Sequence, residues 1–195
     1  VRLRWECRRP SWLVDGLMGP LVSQELGAAR TAWPSRGRFL LGANMAFRAE
    51  VFNRFGLFEE ALGRRGPWLI GGEDREFSQR VLDAGAPVFY EPAALVWHTV
   101  AAERVNPQYF RRWFRDIGYT QAHQFRWKRH HAVSLIPFWR WATVLKAWGR
   151  YVRERLQPSS AAAALQAECW WIYERSFVRE RLDHWLRRSR CHFGV

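Results

Sequence analysis

Two carboxylates stand side by side behind two glycines, in the run GGEDRE at residues 71–76. A carboxylate near the start of a helix can take a proton from an attacking hydroxyl. The same position is one where the helix dipole favours negative charge with no chemistry attached. Adjacency restricts what Glu73 and Asp74 can do together, because neighbouring residues on a helix do not face each other. Two carboxyl groups that flank one glycosidic bond stand about 5 Å or more apart on opposite sides of it. A paired-carboxylate hydrolase is therefore disfavoured. What remains is one carboxylate that acts alone or merely starts a helix, and a second that caps a backbone group or orients a ligand.

Other residues carry a chemical reading beside a plain one. Gly42 lies in an apolar run, where a missing side chain marks either a bulge or a close approach of backbone to a ligand. Arg64 and Arg65 suit a phosphate-bearing ligand, or form a solvated basic loop. Trp68 could stack on a sugar ring or sit half-buried in that loop. His98 is a ring nitrogen at the edge of an apolar segment, most simply a hydrogen-bonded histidine. Cys7, Cys169 and Cys191 are odd in number and widely spaced, which argues against a disulfide framework and a zinc knuckle.

The elements that must position these groups follow from periodicity and punctuation. Residues 1–5 alternate as a strand already under way. Residues 10–26 read as a loop with short helical turns, and 27–38 as a loop. The run FLLGANMAF at 39–47 reads as a buried strand. A short helix follows from Arg48 to about Arg54, ending at Gly56. A second helix begins at Glu73-Asp74, places Phe77, Val81 and Leu82 on one face, and ends at Gly85. Residues 87–90 and 94–98 read as strands with a turn at Glu91-Pro92. Two further helices are expected. One, over 135–152, has Leu135, Phe138, Ala142, Leu145 and Trp148 on one stripe, with Arg140, Lys146, Arg150 and Arg153 off it. The other, over 161–188, carries Trp171, Phe177, Val178, Leu182 and Trp185. Pro158-Ser159-Ser160 separates them.

Composition divides the chain at about the same place. The net charge is +13, and 48% of the 195 residues are hydrophobic, which fits a folded protein. Residues 1–100 hold 13 basic and 11 acidic side chains, residues 101–195 hold 18 and 7, and eight of the 13 Trp lie in the later part. Basic charge interleaved with Trp, as in YFRRWFR at 109–115 and FRWKRHH at 125–131, suits an anionic membrane surface or a nucleic acid. No run of about 18 uncharged apolar residues is present, so no transmembrane helix is expected.

Three segments together carry a family resemblance: GANMAFR at 42–48, GGEDRE at 71–76 and Trp97-His98. In their order and spacing they resemble the family 2 glycosyltransferases, inverting enzymes of the GT-A fold. The resemblance covers roughly residues 1–115 and fades through the helices. It implies an α/β fold in which residues 1–105 form the C-terminal half of a Rossmann-like GT-A catalytic domain, and residues 106–195 a basic, Trp-rich helical extension. It implies that Asp74 is the base that deprotonates an acceptor hydroxyl, with Glu73 in support. Gly42, Ala43 and Asn44 match the loop that lines the donor sugar. His98 matches a histidine that contacts a divalent cation, Mn2+ or Mg2+. Gln108, Arg112 and Trp113 nearly match the Gln-x-x-Arg-Trp motif of processive synthases, with the Gln one residue early, so a processive synthase is not expected. The family's nucleotide-sugar-binding half and its Asp-x-Asp metal motif would precede Val1, so the chain is expected to be a fragment, inactive alone, with the cation held mostly by residues outside it.

The expected function is transfer of a sugar from a nucleotide-diphosphate sugar to a saccharide or lipid-linked acceptor with inversion, in the synthesis of cell-envelope or surface polysaccharide or glycolipid. The helices would lie peripherally on the cytoplasmic face of the cell membrane. The alternative is a non-catalytic basic module that binds anionic membrane or nucleic acid, with nucleic acid the less expected partner because that reading leaves GGEDRE unexplained.

Overall fold

The computed structural model describes residues 1–34, 38–63, 68–69, 71–127, 136 and 138–193. The class is mixed α/β, with no closed barrel among the described residues. Two compact units divide the chain: Val1–Arg9, Met18–Arg64 and Gly71–Val105 form the first, and Pro10–Leu17, Arg65–Ile70 and Asn106–Val195 the second.

The first unit holds the described strands. In chain order these are β1 (Arg2–Trp5), β2 (Thr31–Ala32), β3 (Phe89–Tyr90) and β4 (Trp97–Val100). β1 and β4 run parallel, with Leu3 opposite His98 and Trp5 opposite Val100, while β2 and β3 pair antiparallel. Between them lie helices α1 (Ala49–Phe55) and α2 (Glu73–Asp83). α2 forms where the sequence signals agree. Gly72 turns the chain in at a positive φ of 107°, Glu73, Asp74 and Glu76 fill the first turn, and Gly85 leaves at φ 71°. Its inner face, Phe77, Ser78 and Val81, is buried. The Phe77 ring meets Phe47, Phe52 and Phe58 at centroid distances of 4.9, 5.3 and 4.8 Å. Burying a phenyl ring stabilises by roughly 1.5–3 kcal/mol, so this cluster anchors α2. On the flank, Arg80 pairs with Glu76 at 2.6 Å and donates to the carbonyls of Phe55 and Leu57, satisfying the open end of α1.

The second unit is helical: α3 (Pro107–Trp127), α4 (Phe138–Leu156) and α5 (Ala161–Phe193). Its core contains Leu13, Leu17, Phe110, Phe114, Ala122, Val144, Leu165, Ala167, Cys169 and Phe177. α3 crosses α5 closely at Gly118, where a Cβ would collide with the Tyr173 carbonyl oxygen and stand 3.0 Å from Ser176 Cβ. Only glycine leaves room for that contact. No described helix is long and apolar enough to cross a membrane.

Four expectations are corrected. Residues 39–47 are not a strand but an irregular segment with a turn at 42–44, because their polar groups bond to side chains of α2 and not to a neighbouring strand. Trp97-His98 opens β4 and does not close a strand. The aromatic-basic stretch after Asn106 is a 21-residue helix, α3, that periodicity did not reveal. The apolar stripe of α4 faces outward at Ala142, Leu145 and Trp148, while Arg140, Val144, Ala147, Tyr151 and Glu154 turn inward.

Candidate active site

The site is built at the N-terminus of α2. Asp74 projects from its first turn toward the turn at 42–44. Its Oδ2 accepts the Gly42 N–H at 2.8 Å, and its Oδ1 accepts the N–H of Arg75 at 2.7 Å. Four residues on, the buried hydroxyl of Ser78 accepts the Leu40 N–H at 3.3 Å and donates to the Arg75 carbonyl at 3.2 Å. The segment 40–42 is thus clasped along α2 by two side chains. A Cβ at Gly42 would stand 3.1 Å from Asp74 Oδ2, tighter than ordinary contact, so a side chain there would push the carboxylate back by a few tenths of an ångström. The turn is closed by the Asn44 N–H to the Leu41 carbonyl at 2.9 Å. It is tied toward β4 by Asn44 Nδ2, which donates to the Ala94 carbonyl at 2.6 Å. Ala43 is exposed at its tip.

Glu73 addresses a different segment. Its Oε2 is buried and meets no hydrogen-bond donor among the described residues, and a Cβ on Gly63 would stand 3.6 Å from it. The two adjacent carboxylates therefore face separate loops, Asp74 the Gly42 turn and Glu73 the Gly63 turn.

His98 sits on β4 with Nδ1 2.8 Å from the Leu21 carbonyl. A carbonyl only accepts, so Nδ1 carries a proton, and in the neutral ring Nε2 then presents a lone pair. That is the state in which an imidazole ligates a metal, oriented by a backbone carbonyl behind it. The described residues do not complete a cation site around it, since no group of three or more His, Cys, Asp or Glu side chains comes together among them.

No protein-family model, no characterised protein and no solved structure matches this chain.

The remaining candidates lie elsewhere. Arg64 and Arg65 fall outside the described residues, as does most of the basic run at 125–131. Trp68, Arg112 and Trp113 belong to the helical unit. Trp68 is exposed, with the Arg115 guanidinium 5.1 Å from its ring, and Trp113 packs edge-on against Phe114 at 5.2 Å. Trp68 and Arg112 line an open groove of about 790 Å³ together with Arg115, Tyr119, Trp171 and Arg175. The α/β unit has its own cavity of about 760 Å³. Asn44 lines it, but Glu73, Asp74 and His98 do not.

Two structural residues were missed in the sequence. Ser78 reads as a polar interruption of an apolar helix face, which is a usable sign of a buried hydrogen bond. Asp116 is fully buried in α3, accepting the Leu69 N–H and the Arg115 Nε–H, both at 2.8 Å, and so fixes the segment that carries Trp68.

Proposed function

We propose that this chain supplies the acceptor-activating part of an inverting glycosyltransferase of GT-A type, similar to family 2, that uses a nucleotide-diphosphate sugar. The observation that carries the reading is the Asp74–Gly42 hydrogen bond. It joins two of the three segments on which the resemblance rests, although they lie 32 residues apart in sequence. The third segment contributes His98, held in the tautomer that leaves Nε2 open.

In this reading Asp74 is the base. Its two oxygens are fixed by backbone donors, yet each keeps a further lone pair for an acceptor hydroxyl. As that hydroxyl attacks the anomeric carbon, its proton passes to Asp74 and the nucleotide diphosphate leaves from the opposite face. Gly42, Ala43 and Asn44 line the sugar side with backbone and one amide. Glu73, whose buried Oε2 meets no donor among the described residues, lies on the Gly63 side and supports the base. A divalent cation would neutralise the leaving diphosphate, with His98 Nε2 as one contact and its other ligands outside the described residues. The helical unit lies peripherally at the cytoplasmic membrane surface, near a saccharide or lipid-linked acceptor of envelope synthesis.

The test is nucleotide release by the chain joined to a donor-binding half. Asp74→Asn keeps one oxygen for the Gly42 N–H but removes the base, so kcat should fall about 10²- to 10⁴-fold, with α2 intact by circular dichroism. Turnover that survives the change excludes Asp74 as the base.

A further inference from the structure

α4 differs from its neighbours in what it leaves uncovered. Leu145 is 61% exposed, Trp148 50%, Trp141 43% and Leu156 76%. At about 100° per residue these four fall within roughly 80° of one another around the helix axis, a continuous strip about 22 Å long. Arg153 and Lys146 lie about 60° and 80° beyond one edge of that strip, Arg150 about 120° beyond it beside the exposed Trp139, and Arg155 about 20° beyond the other edge, all exposed. The sole acidic residue of α4, Glu154, is turned inward and held by the Ser159 N–H at 3.0 Å and its hydroxyl at 2.9 Å. The outer surface of α4 therefore carries an apolar strip, cations on both sides of it and no outward carboxylate.

Among the described side chains neither other helix of this unit has that combination. α3 exposes no large apolar side chain over 107–124, and α5 exposes Trp170, Leu182, Trp185 and Leu186 on a helix that also carries Glu168, Glu174, Glu180 and Asp183. The exposed strip on α4 also explains a mismatch in the sequence. A helix that packed by its apolar stripe would bury Leu145 and Trp148, yet the inward face is made of Val144, Ala147 and Tyr151, with an arginine and a glutamate.

We propose that the outer face of α4 docks on an anionic lipid bilayer, lying in the interfacial plane with Trp141, Leu145, Trp148 and Leu156 immersed and the cations among the lipid phosphates. A helix of this kind inserts its apolar face roughly 5–10 Å and depends on both apolar area and anionic headgroups. Trp suits that depth because its ring is apolar and its N–H polar. Leu145 and Leu156 within the strip favour a bilayer over a nucleic acid, which takes stacking rings and cations but gives no reason to expose leucines. This docking rests on the reading of the helical unit as peripheral to the membrane, and is independent of the transfer chemistry assigned to Asp74.

The experiment is co-sedimentation of the full chain with vesicles of phosphatidylcholine alone and of phosphatidylcholine mixed with phosphatidylserine. The wild-type chain should partition strongly onto the mixed vesicles and weakly onto the neutral ones. Each surface cation is worth about a factor of five near such a membrane, so Lys146→Gln/Arg155→Gln should lower binding to mixed vesicles about 25-fold and leave the neutral ones nearly unchanged. Leu145→Ser/Trp148→Ser should lower binding to both by on the order of 10- to 100-fold. All four side chains are exposed, and helicity by circular dichroism confirms that each variant folds. A chain that binds mixed vesicles with both variants unaffected overturns the assignment to α4 while leaving peripheral attachment standing. No vesicle binding by the wild type overturns both. Binding to duplex DNA that the Lys146/Arg155 variant loses, with no vesicle binding, replaces the lipid by a nucleic acid.

Discussion

The ion pair between Arg140 and Glu174 joins α4 to α5 and allows a quantitative test of what holds α4 in place. Arg140 Nη2 lies 2.9 Å from Glu174 Oε2, and both side chains are nearly buried. The guanidinium is sandwiched over Phe177 at 4.4 Å and Tyr173 at 5.4 Å. The contact is close but poorly aligned, since Arg140 Nε and Nη2 and Glu174 Oε2 make no hydrogen bond of good geometry among the described residues. Burial raises the Glu174 carboxyl above its ordinary range even against the attraction of Arg140. Removing one partner of a buried pair costs about 3–5 kcal/mol, because the other charge is left without compensation. Arg140 stands in the first turn of α4, where its long stem can carry the charge outward, so Glu174→Met should cost near the lower limit, about 3 kcal/mol. Arg140→Met leaves a deeper carboxylate, which can escape only by taking up a proton, and should cost at least as much. The double variant Arg140→Met/Glu174→Met should lie within about 1 kcal/mol of wild type, as matched apolar replacements of buried pairs do, and its coupling energy should then reach about 5 kcal/mol. The assay is urea unfolding followed by far-ultraviolet circular dichroism. The pH dependence has a definite sign. A carboxyl raised in the folded state binds its proton more tightly there, so its contribution is full below the unfolded value and is lost as pH rises through the folded one. Glu174→Met should remove that decline. Single variants that cost under about 1 kcal/mol, or a double variant as unstable as the two singles summed, would refute the reasoning.

Two further outcomes follow from the same unit. Ser159 lowers the Glu154 carboxyl through its N–H and hydroxyl, so this group stabilises the α4–α5 corner above the ordinary carboxylate value near 4.5 and loses that contribution as pH falls through its lower folded value; Glu154→Gln should flatten the acid limb of a stability–pH profile, the opposite of the change at Glu174. Burial pushes the Cys169 thiol up to about 12, so iodoacetamide should spare Cys169 in the native chain while labelling the half-buried Cys7, and should reach Cys169 only in denaturant; mass spectrometry reads the two sites separately.

Where local signals agreed, the sequence was a good guide. α2 has acidic residues in its first turn, an apolar face at Phe77 and Val81 and a glycine at its end, and it folds as written. α4 and α5 were legible as helices from their apolar periodicity and the break at Pro158, although the stripe on α4 faces outward. α3 was not. Its buried face is shared by Phe110, Phe114, Gly118 and Ala122 and, beside them, by Asp116, Thr120 and Gln124. Both rows recur every four residues, but half of the inward positions are polar or lack a side chain, which erases the apolar period. Residues 39–47 misled in the other direction. An apolar run is compatible with a strand, but a strand needs a partner for its backbone, and here the partners are Ser78 and Asp74. The pairing of Asp74 with Gly42 could not be derived from either segment by itself, because contacts across 32 residues leave no local periodicity.

The choice of side chains along that clasp bears on what Asp74 does. Leu40 and Gly42 each offer one N–H to α2. The first is met by a neutral, buried hydroxyl, since Ser78 accepts from Leu40 and donates to Arg75. The second is met by a carboxylate, although an asparagine or serine would also offer an acceptor to Gly42, through a weaker bond. A carboxylate adds a negative charge and lone pairs left over after Gly42 and Arg75 are served. It is also only partly buried, so those lone pairs can be reached. The glycine opposite it removes the side chain that would otherwise crowd the same oxygen. A carboxylate at a helix start is favoured by the dipole even as a strut, but one with spare capacity, held still by backbone donors and left open on one side, is also suited to take a proton from a hydroxyl. On that combination the proposed role of Asp74 rests, and the Asp74→Asn variant separates the two, since a strut would leave turnover unchanged.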